Sequence, residues 1–166
     1  KIFILFITSV LIFGNWTAWI YAVATNRIID ASYGYFIFPI LTVFFDYLFL
    51  KEKLNKKRIF AILIVIGSSI YLASNLSLFP WIGILVAILW ATYTLLRKLI
   101  NVETDIGLLI ESLLILPIAI VIFYFIYQKG LNDFSLADPK IMFFLFLAGP
   151  MTVIPLFLFI KGVEKC

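Results

Sequence analysis

The sequence predicts an all-α polytopic membrane protein, and three observations lead to this fold class. Of its 166 residues, 64% are hydrophobic and only 13% are charged, whereas soluble domains average about 45–50% and about 25%. The mean hydropathy is +1.16. The apolar residues form long continuous runs, and the basic residues lie between them. A water-soluble monomer of this size could not bury so much apolar surface, and disordered chains are poor in such residues.

Six apolar runs reach or approach the length of about 20 residues that a helix needs to cross the hydrocarbon core. They are residues 2–25, 32–50, 59–76, 79–96, 106–127 and 141–160. Backbone groups exposed to lipid must be hydrogen-bonded within the segment, so each run is expected to be a helix. Transmembrane β-strands would show alternating rather than continuous hydrophobicity. The sequence therefore predicts six transmembrane helices.

The basic residues predict the orientation of these spans. Three of them, Arg27, Lys129 and Lys140, fall on one side. The other ten fall on the opposite side, and they are Lys1, Lys51, Lys53, Lys56, Lys57, Arg58, Arg97, Lys98, Lys161 and Lys165. Cytoplasmic loops carry the excess of Lys and Arg. We therefore expect the loop from Lys51 to Arg58 to be cytoplasmic, together with both chain ends, and loops 26–31, 77–78 and 128–140 to face outward. The net charge of +4 then reflects topology and predicts no nucleic-acid partner.

Residue types that are absent narrow the possible chemistry. The sequence has no histidine, and Cys166 is its only cysteine. This excludes histidine-based acid–base catalysis, histidine metal ligation, a Ser-His-Asp triad and a disulfide framework. We predict no catalytic residue, no metal site and no cofactor. The chain enters an apolar run directly after Lys1, without a recognisable signal peptide, and it is interpreted as an internal piece of a longer protein.

A faint internal repeat relates the first and last spans at an offset of 135 residues. Gly14 and Thr17 align with Gly149 and Thr152. The two spans would cross the membrane in opposite directions, and weak symmetry between oppositely oriented halves is typical of inverted-repeat transporters. Chance similarity between two membrane helices is the alternative.

Two acidic residues lie within predicted spans, where a charge is costly and usually faces a cavity or a partner. Glu111 is either a proton carrier or substrate contact, or half of a structural ion pair with Arg97 or Lys98. Asp46 is close to the end of its span, and the simpler interpretation is that its carboxylate reaches toward the basic loop after it.

Amide, hydroxyl and indole groups cluster in the first, second and fourth spans. Asn15, Trp16 and Tyr93 lie too deep for an interfacial aromatic belt, whereas the belt accounts for Tyr33 and Trp81. Trp and Tyr have flat apolar faces with one polar edge, which suits an aromatic or amphiphilic solute. We therefore expect the three deep residues to line a cavity. Four prolines interrupt helix hydrogen bonding and are candidates for a kink or gate, namely Pro39, Pro117, Pro150 and Pro155.

A set of short motifs resembles one transporter family, the RarD branch of the EamA transporters. The motifs are Asn15-Trp16; Ser32-Tyr33-Gly34-Tyr35-Phe36-Ile37 with Pro39; Leu50-Lys51-Glu52-Lys53-Leu54; Leu78-Phe79-Pro80-Trp81; Tyr93 with Leu96-Arg97-Lys98; Glu111-Ser112-Leu113 with Leu116-Pro117; and Thr152 with Ile154-Pro155-Leu156. They occur in family order over essentially the whole chain. This chain departs from the family pattern at Phe38, where asparagine is common, and at Asp46, where a small residue is common.

The resemblance implies a drug/metabolite transporter of ten helices in two inverted halves, of which this chain would supply helices three to eight. Residues 1–78 would be the last three helices of the first repeat, and residues 79–166 the first three of the second. Substrate-cavity positions carried over from the family are Asn15, Trp16, Tyr35, Tyr93, Arg97, Glu111 and Thr152.

The predicted function is that of a secondary transporter moving a small metabolite or drug-like solute across a bacterial cytoplasmic membrane by alternating access, with Glu111 as the candidate proton carrier. Its expected partners are the lipid bilayer, the solute and the flanking helices of the same protein, and a second copy is a candidate partner. A channel-type or structural membrane protein is the alternative. An intramembrane enzyme is less favoured, because no carboxylates cluster deep in a span.

Overall fold

The computed structural model describes residues 1–75, 79–100, 102–130 and 139–163. This part of the chain forms six α-helices and contains no β-strand. The helices are α1 (Ile2–Ala24), α2 (Ile28–Phe49), α3 (Lys56–Ser74), α4 (Trp81–Leu99), α5 (Thr104–Gln128) and α6 (Pro139–Val163). All six are long and apolar enough to cross a membrane. The predicted fold class is confirmed, and the chain is an integral membrane protein.

The helix bounds differ from the predicted spans mainly at polar residues. Helix α2 begins at Ile28 and includes Asp30 in its first turn, and α3 begins at Lys56 inside the basic loop. The Asn55 side chain caps α3 by accepting a hydrogen bond from the Arg58 backbone N–H at 2.8 Å. Apolar runs alone miss such turns, because capping and charge rather than hydropathy determine them. The predicted turn at residues 77–78, much of the loop at 128–140 and Cys166 lie outside the described residues.

The chain divides into two compact units. The larger unit is Val10–Leu99, and the smaller unit combines Lys1–Ser9 with Ile100–Cys166. This division follows contacts within the chain, whereas the predicted boundary at residue 78 concerns repeat ancestry, so the repeat assignment stays a prediction.

Within the larger unit, α2 packs more extensively against α4 than against α3. The two helices approach closely at Gly34 and Gly83, where a Cβ atom added to Gly34 would lie 2.5 Å from the Gly83 carbonyl oxygen. Small residues at an interface let membrane helices approach this closely. A hydrophobic cluster packs beside this crossing, and its members are Ala18, Ala22, Ala31, Ile82 and Val86.

Polar side chains join the helices of the larger unit at the end near Arg27. Arg27 forms an ion pair with Asp30, and its guanidinium group lies over the Trp81 ring. The other oxygen of Asp30 accepts a hydrogen bond from the Gly83 N–H at 3.1 Å. Tyr33 is buried and donates its hydroxyl proton to the Ser69 carbonyl oxygen of α3 at 3.0 Å. The belt interpretation of Tyr33 is therefore wrong, since its ring and hydroxyl lie between two helices.

The smaller unit contains the start of α1 together with α5 and α6, which contact each other. Its buried apolar side chains among the described residues are Leu5, Ile100 and Ile160, and most of α5 and α6 is exposed. Helix α2 continues through Pro39, α5 through Pro117, and α6 through Pro150 and Pro155. The role of these prolines as kinks or gates stays a prediction.

Candidate functional site

A cavity of about 240 Å³ lies within the larger unit. Helices α1, α2 and α4 each contribute three lining residues: Asn15, Trp16 and Trp19; Gly34, Tyr35 and Phe38; and Val86, Ala87 and Trp90. Each set has the spacing i, i+1, i+4, which places all three residues on one face of a helix. None of the lining residues is charged. The walls are mainly aromatic, and Gly34 and Ala87 leave room between the rings.

Asn15 is the buried polar residue of this cavity. It is 5% exposed, and its side-chain amide donates a hydrogen bond to the Val86 carbonyl oxygen at 3.2 Å. A polar side chain in lipid is stabilised by a partner of this kind. Among the described residues this is the one hydrogen bond of the Asn15 side chain, so its carboxamide oxygen keeps its capacity to accept another.

Ring contacts organise the aromatic wall. The ring centroids of Trp19 and Tyr35 are 5.7 Å apart in a tilted arrangement. Trp90 stacks against Tyr93 with the ring centroids 5.6 Å apart. Tyr93 is fully buried and lies against Trp90 instead of lining the cavity. Such aromatic pairs contribute about 0.5–1.5 kcal/mol beyond the burial of their area, so Tyr93 fixes the orientation of a ring that does line the cavity.

The remaining predicted site residues of the larger unit take different places. Asn15, Trp16 and Tyr35 line the cavity together, and their role in binding a substrate stays a prediction. Arg97 is fully buried in the last turn of α4 and is not a lining residue. Phe38, a position where this chain departs from the family pattern, does line the cavity.

Asp46 has a different partner from the one that the sequence suggested. Its carboxylate pairs with Lys98 of α4, with an oxygen to nitrogen distance of 2.8 Å, and Asp46 is buried. It does not reach toward the basic loop, where Arg58 pairs with Glu52 instead. Lys98, which the sequence also offered as a partner for Glu111, is thereby engaged within the larger unit. Sequence spacing could not indicate this pair, because its members lie on different helices.

Glu111 and Thr152 belong to the smaller unit. Glu111 is buried, and one of its carboxyl oxygens lies 2.6 Å from the Thr8 hydroxyl, which also lies 3.0 Å from the Leu5 carbonyl oxygen. A hydroxyl has one proton to donate and lone pairs to accept. Thr8 can therefore donate to an ionised Glu111, or accept from a protonated Glu111 while donating to Leu5. The Thr152 hydroxyl donates to the Ala148 carbonyl oxygen of its own helix at 2.8 Å. Their assignment to a substrate cavity stays a prediction.

Six of the nine lining residues were not among the predicted cavity residues, namely Trp19, Gly34, Phe38, Val86, Ala87 and Trp90. A usable signal was nonetheless present, because the same i, i+1, i+4 spacing occurs on all three lining helices. The sequence does not show which helices are neighbours, and this spacing is too common by itself to identify lining residues.

The known proteins that this chain resembles are transporters. Residues 1–74 match the EamA-like transporter family. The chain is 34% identical to the uncharacterized transporter YojE of Bacillus subtilis over 97% of this chain and 53% of that protein. It is 36% identical to an uncharacterized transporter of Vibrio cholerae over 99% of this chain and 55% of that protein. The identity to the protein RarD of Escherichia coli is 32%, over 99% of this chain and 56% of that protein.

The chain thus spans about half the length of the curated relatives it matches. No solved structure matches it significantly. The six apolar helices, the ordered motifs and similarity to these relatives over almost the whole chain lead to one conclusion. The chain resembles the EamA-like transporters over almost its whole length, in the branch that includes the RarD proteins.

Proposed function

We propose that the chain is the central part of a secondary transporter that moves a small metabolite or drug-like solute across a bacterial cytoplasmic membrane by alternating access. The observation that carries this proposal is the uncharged aromatic cavity between α1, α2 and α4. Secondary transporters bind their solutes near the middle of the membrane between packed helices. The names of the relatives, which are transporters, support the same function.

The chemistry of the lining favours a particular kind of solute. A dry engineered cavity of about 150 Å³ holds benzene, and drug-sized ligands occupy about 300–1,000 Å³. The volume of about 240 Å³ lies between these values and suits a small planar molecule, or one ring of a larger one. The carboxamide oxygen of Asn15 would accept a hydrogen bond from it. An anionic group would find no Lys or Arg among the lining residues.

Two tryptophan variants of the full-length protein test whether this cavity binds the solute. Trp90 lines the cavity, whereas Trp81 is on the same helix but outside it. Trp90→Leu removes a stacking surface, and we expect it to weaken the apparent affinity about tenfold, equivalent to about 1.4 kcal/mol. Trp81→Leu should leave the affinity unchanged. Uptake of a panel of small aromatic solutes into proteoliposomes measures both, and equal losses in the two variants would exclude this cavity as the binding site.

Glu111 carries the coupling proton in this proposal. Support comes from its burial in a membrane helix and from the Thr8 hydroxyl, which offers a partner to either protonation state of the carboxyl group. Glu111→Gln keeps the shape and removes the exchangeable charge. We expect the variant to lose uptake driven by a proton gradient while keeping exchange of labelled for unlabelled solute. Gradient-driven uptake at the normal rate would rule out this role.

The proposed whole protein has ten helices, of which this chain supplies helices three to eight. Residues 1–78 and 79–166 fall in the two inverted repeats, and the loop at 51–58 faces the cytoplasm. The proposed partners of the chain are the flanking helices of the same protein and the lipid bilayer. The exposed apolar side chains of α5 and α6, such as Phe143 and Phe146, support these partners, because such side chains need to be shielded from water. A second copy of the protein is an alternative partner for these side chains.

A further inference from the structure

Within the extensive packing of α2 against α4, two contacts mark two levels along the helices, and the cavity residues lie between them. Gly34 is paired with Gly83, and Asp46 is paired with Lys98. Residue numbers increase in the same direction on both helices, so the helices run parallel. The cavity residues Phe38 and Trp90 come after the first contact and before the second on their respective helices.

At Gly34 and Gly83 the backbones of the two helices are in contact, and no space remains between them for a side chain. A Cβ atom on Gly83 would lie 2.9 Å from the Gly34 backbone nitrogen and would also clash with the Asp30 carbonyl oxygen. The Gly83 N–H is in addition bonded to the Asp30 carboxylate at 3.1 Å. Two helices in such contact can change their crossing angle, but they have little freedom to slide or separate there.

The contact at Asp46 and Lys98 is made by side chains alone. The nitrogen to oxygen distance is 2.8 Å, and the second carboxylate oxygen of Asp46 is buried without a hydrogen-bond partner among the described residues. Desolvation offsets much of the attraction in a buried ion pair, and more so when a lone oxygen stays unsatisfied. The helices are therefore held tightly at one end by the backbone and reversibly at the other by charge.

We infer that the Asp46–Lys98 ion pair is a releasable latch, and that α2 and α4 part around the Gly34–Gly83 contact to open the cavity toward the end that carries the loop at 51–58. Asp46 lies about 18 Å along α2 from Gly34, so a rotation of about 10° moves it by about 3 Å. That displacement is enough to break a 2.8 Å ion pair. The contribution of this opening to transport rests on the proposed function, whereas the opening itself does not.

Cysteine labelling in the full-length protein tests the latch without any transported solute. Ala87 and Ala31 are both fully buried alanines, the first in the cavity wall and the second near the Gly34 contact. Each is replaced by cysteine in a background that lacks other cysteines, including Cys166. The rate of reaction with a membrane-impermeant maleimide is then measured from the side of the loop at 51–58, with the latch intact or broken.

Breaking the latch should expose the cavity wall and leave the Gly34–Gly83 contact closed. We expect Asp46→Asn or Lys98→Gln to speed labelling of Ala87→Cys about tenfold, as a loss of about 1.4 kcal/mol of closing free energy would. Labelling of Ala31→Cys should not change. Asp46→Glu, which preserves the charge pair, should label slowly at both positions.

Three results would overturn the latch. Labelling of Ala87→Cys could stay slow in both latch variants, or it could rise equally at Ala31→Cys, which would indicate general loosening. It could also rise just as much in Asp46→Glu. Because two variants break the pair from opposite sides, the test survives if one of them does not fold. A transport assay that fails while the labelling succeeds would count against the proposed function and leave the latch in place.

Discussion

The contact between Gly34 and Gly83 allows a quantitative prediction for Gly83→Ala. An added methyl group would meet the Gly34 nitrogen at 2.9 Å and the Asp30 carbonyl oxygen at a still shorter distance, whereas ordinary contact begins near 3.4 Å. Both neighbours are backbone atoms, so no side chain can rotate away. The two helices would have to move apart by roughly 0.5–1 Å, which loosens close packing around the contact.

The expected magnitude follows from two opposing contributions. Overpacking a well-packed interior costs about 1–3 kcal/mol, and rigid neighbours place this site at the upper end. Alanine is a better helix former than glycine by about 0.8–1.0 kcal/mol. We therefore expect Gly83→Ala to lower the free energy of unfolding by about 2 kcal/mol. Gly67→Ala is the matched control, since a Cβ atom on Gly67 has no neighbour within 4 Å, and it should be neutral or stabilising by up to about 1 kcal/mol.

Unfolding of the purified full-length protein in mixed micelles, titrated with a denaturing detergent and followed by tryptophan fluorescence, measures both variants. The difference between Gly83→Ala and Gly67→Ala should be about 2–3 kcal/mol. If the two variants unfold at the same detergent fraction, α2 and α4 do not approach as closely as described. The Gly34–Gly83 contact could then not be the point around which the two helices part.

Three further predictions concern single polar groups. Tyr33→Phe removes the hydrogen bond to the Ser69 carbonyl oxygen and should cost about 0.6 kcal/mol in the same titration, the average for such bonds between membrane helices; an unchanged midpoint would show that this bond contributes nothing. Thr8→Val removes the 2.6 Å hydrogen bond between the Thr8 hydroxyl and Glu111 and should cost about 1.5–3 kcal/mol, the range for a hydrogen bond to a charged group. Thr8→Ser should retain most of that stability, so equal losses in the two variants would contradict a role for the hydroxyl. In a cysteine-free background, Asn55→Cys should react with an impermeant maleimide from the cytoplasmic side alone, and labelling from outside would reverse the predicted topology.

The sequence predicts the helices well because hydropathy decides which segments enter a membrane. All six predicted spans correspond to helices, since each apolar run must satisfy its backbone groups internally. The exact ends are less predictable. The first turn of α3 contains Lys56, Lys57 and Arg58, which oppose the helix dipole. The cap provided by Asn55 stabilises that end in spite of its charges.

The sequence indicates which types of residue line the cavity, but it does not indicate which side chains contact one another. Asn15, Trp16 and Tyr35 meet in the cavity because polar and aromatic groups deep in a span are costly unless they face a cavity or a partner. Tyr33 and Asp46 were misassigned, since both partners, Ser69 and Lys98, lie on other helices. Periodicity describes one helix at a time, whereas such contacts depend on which helices pack together and in which register.

The partner of Asp46 also has a consequence for the order in which the protein is made. Lys98 is encoded 52 residues after Asp46, and a chain grows at about 5–20 residues per second. For about 3–10 s, the Asp46 carboxylate therefore exists before its final partner has been synthesised. The next cations along the chain after Asp46 are Lys51 and Lys53 of the following loop. Helix α2 would thus enter the bilayer with a temporary counter-charge and exchange it for Lys98 when α4 arrives.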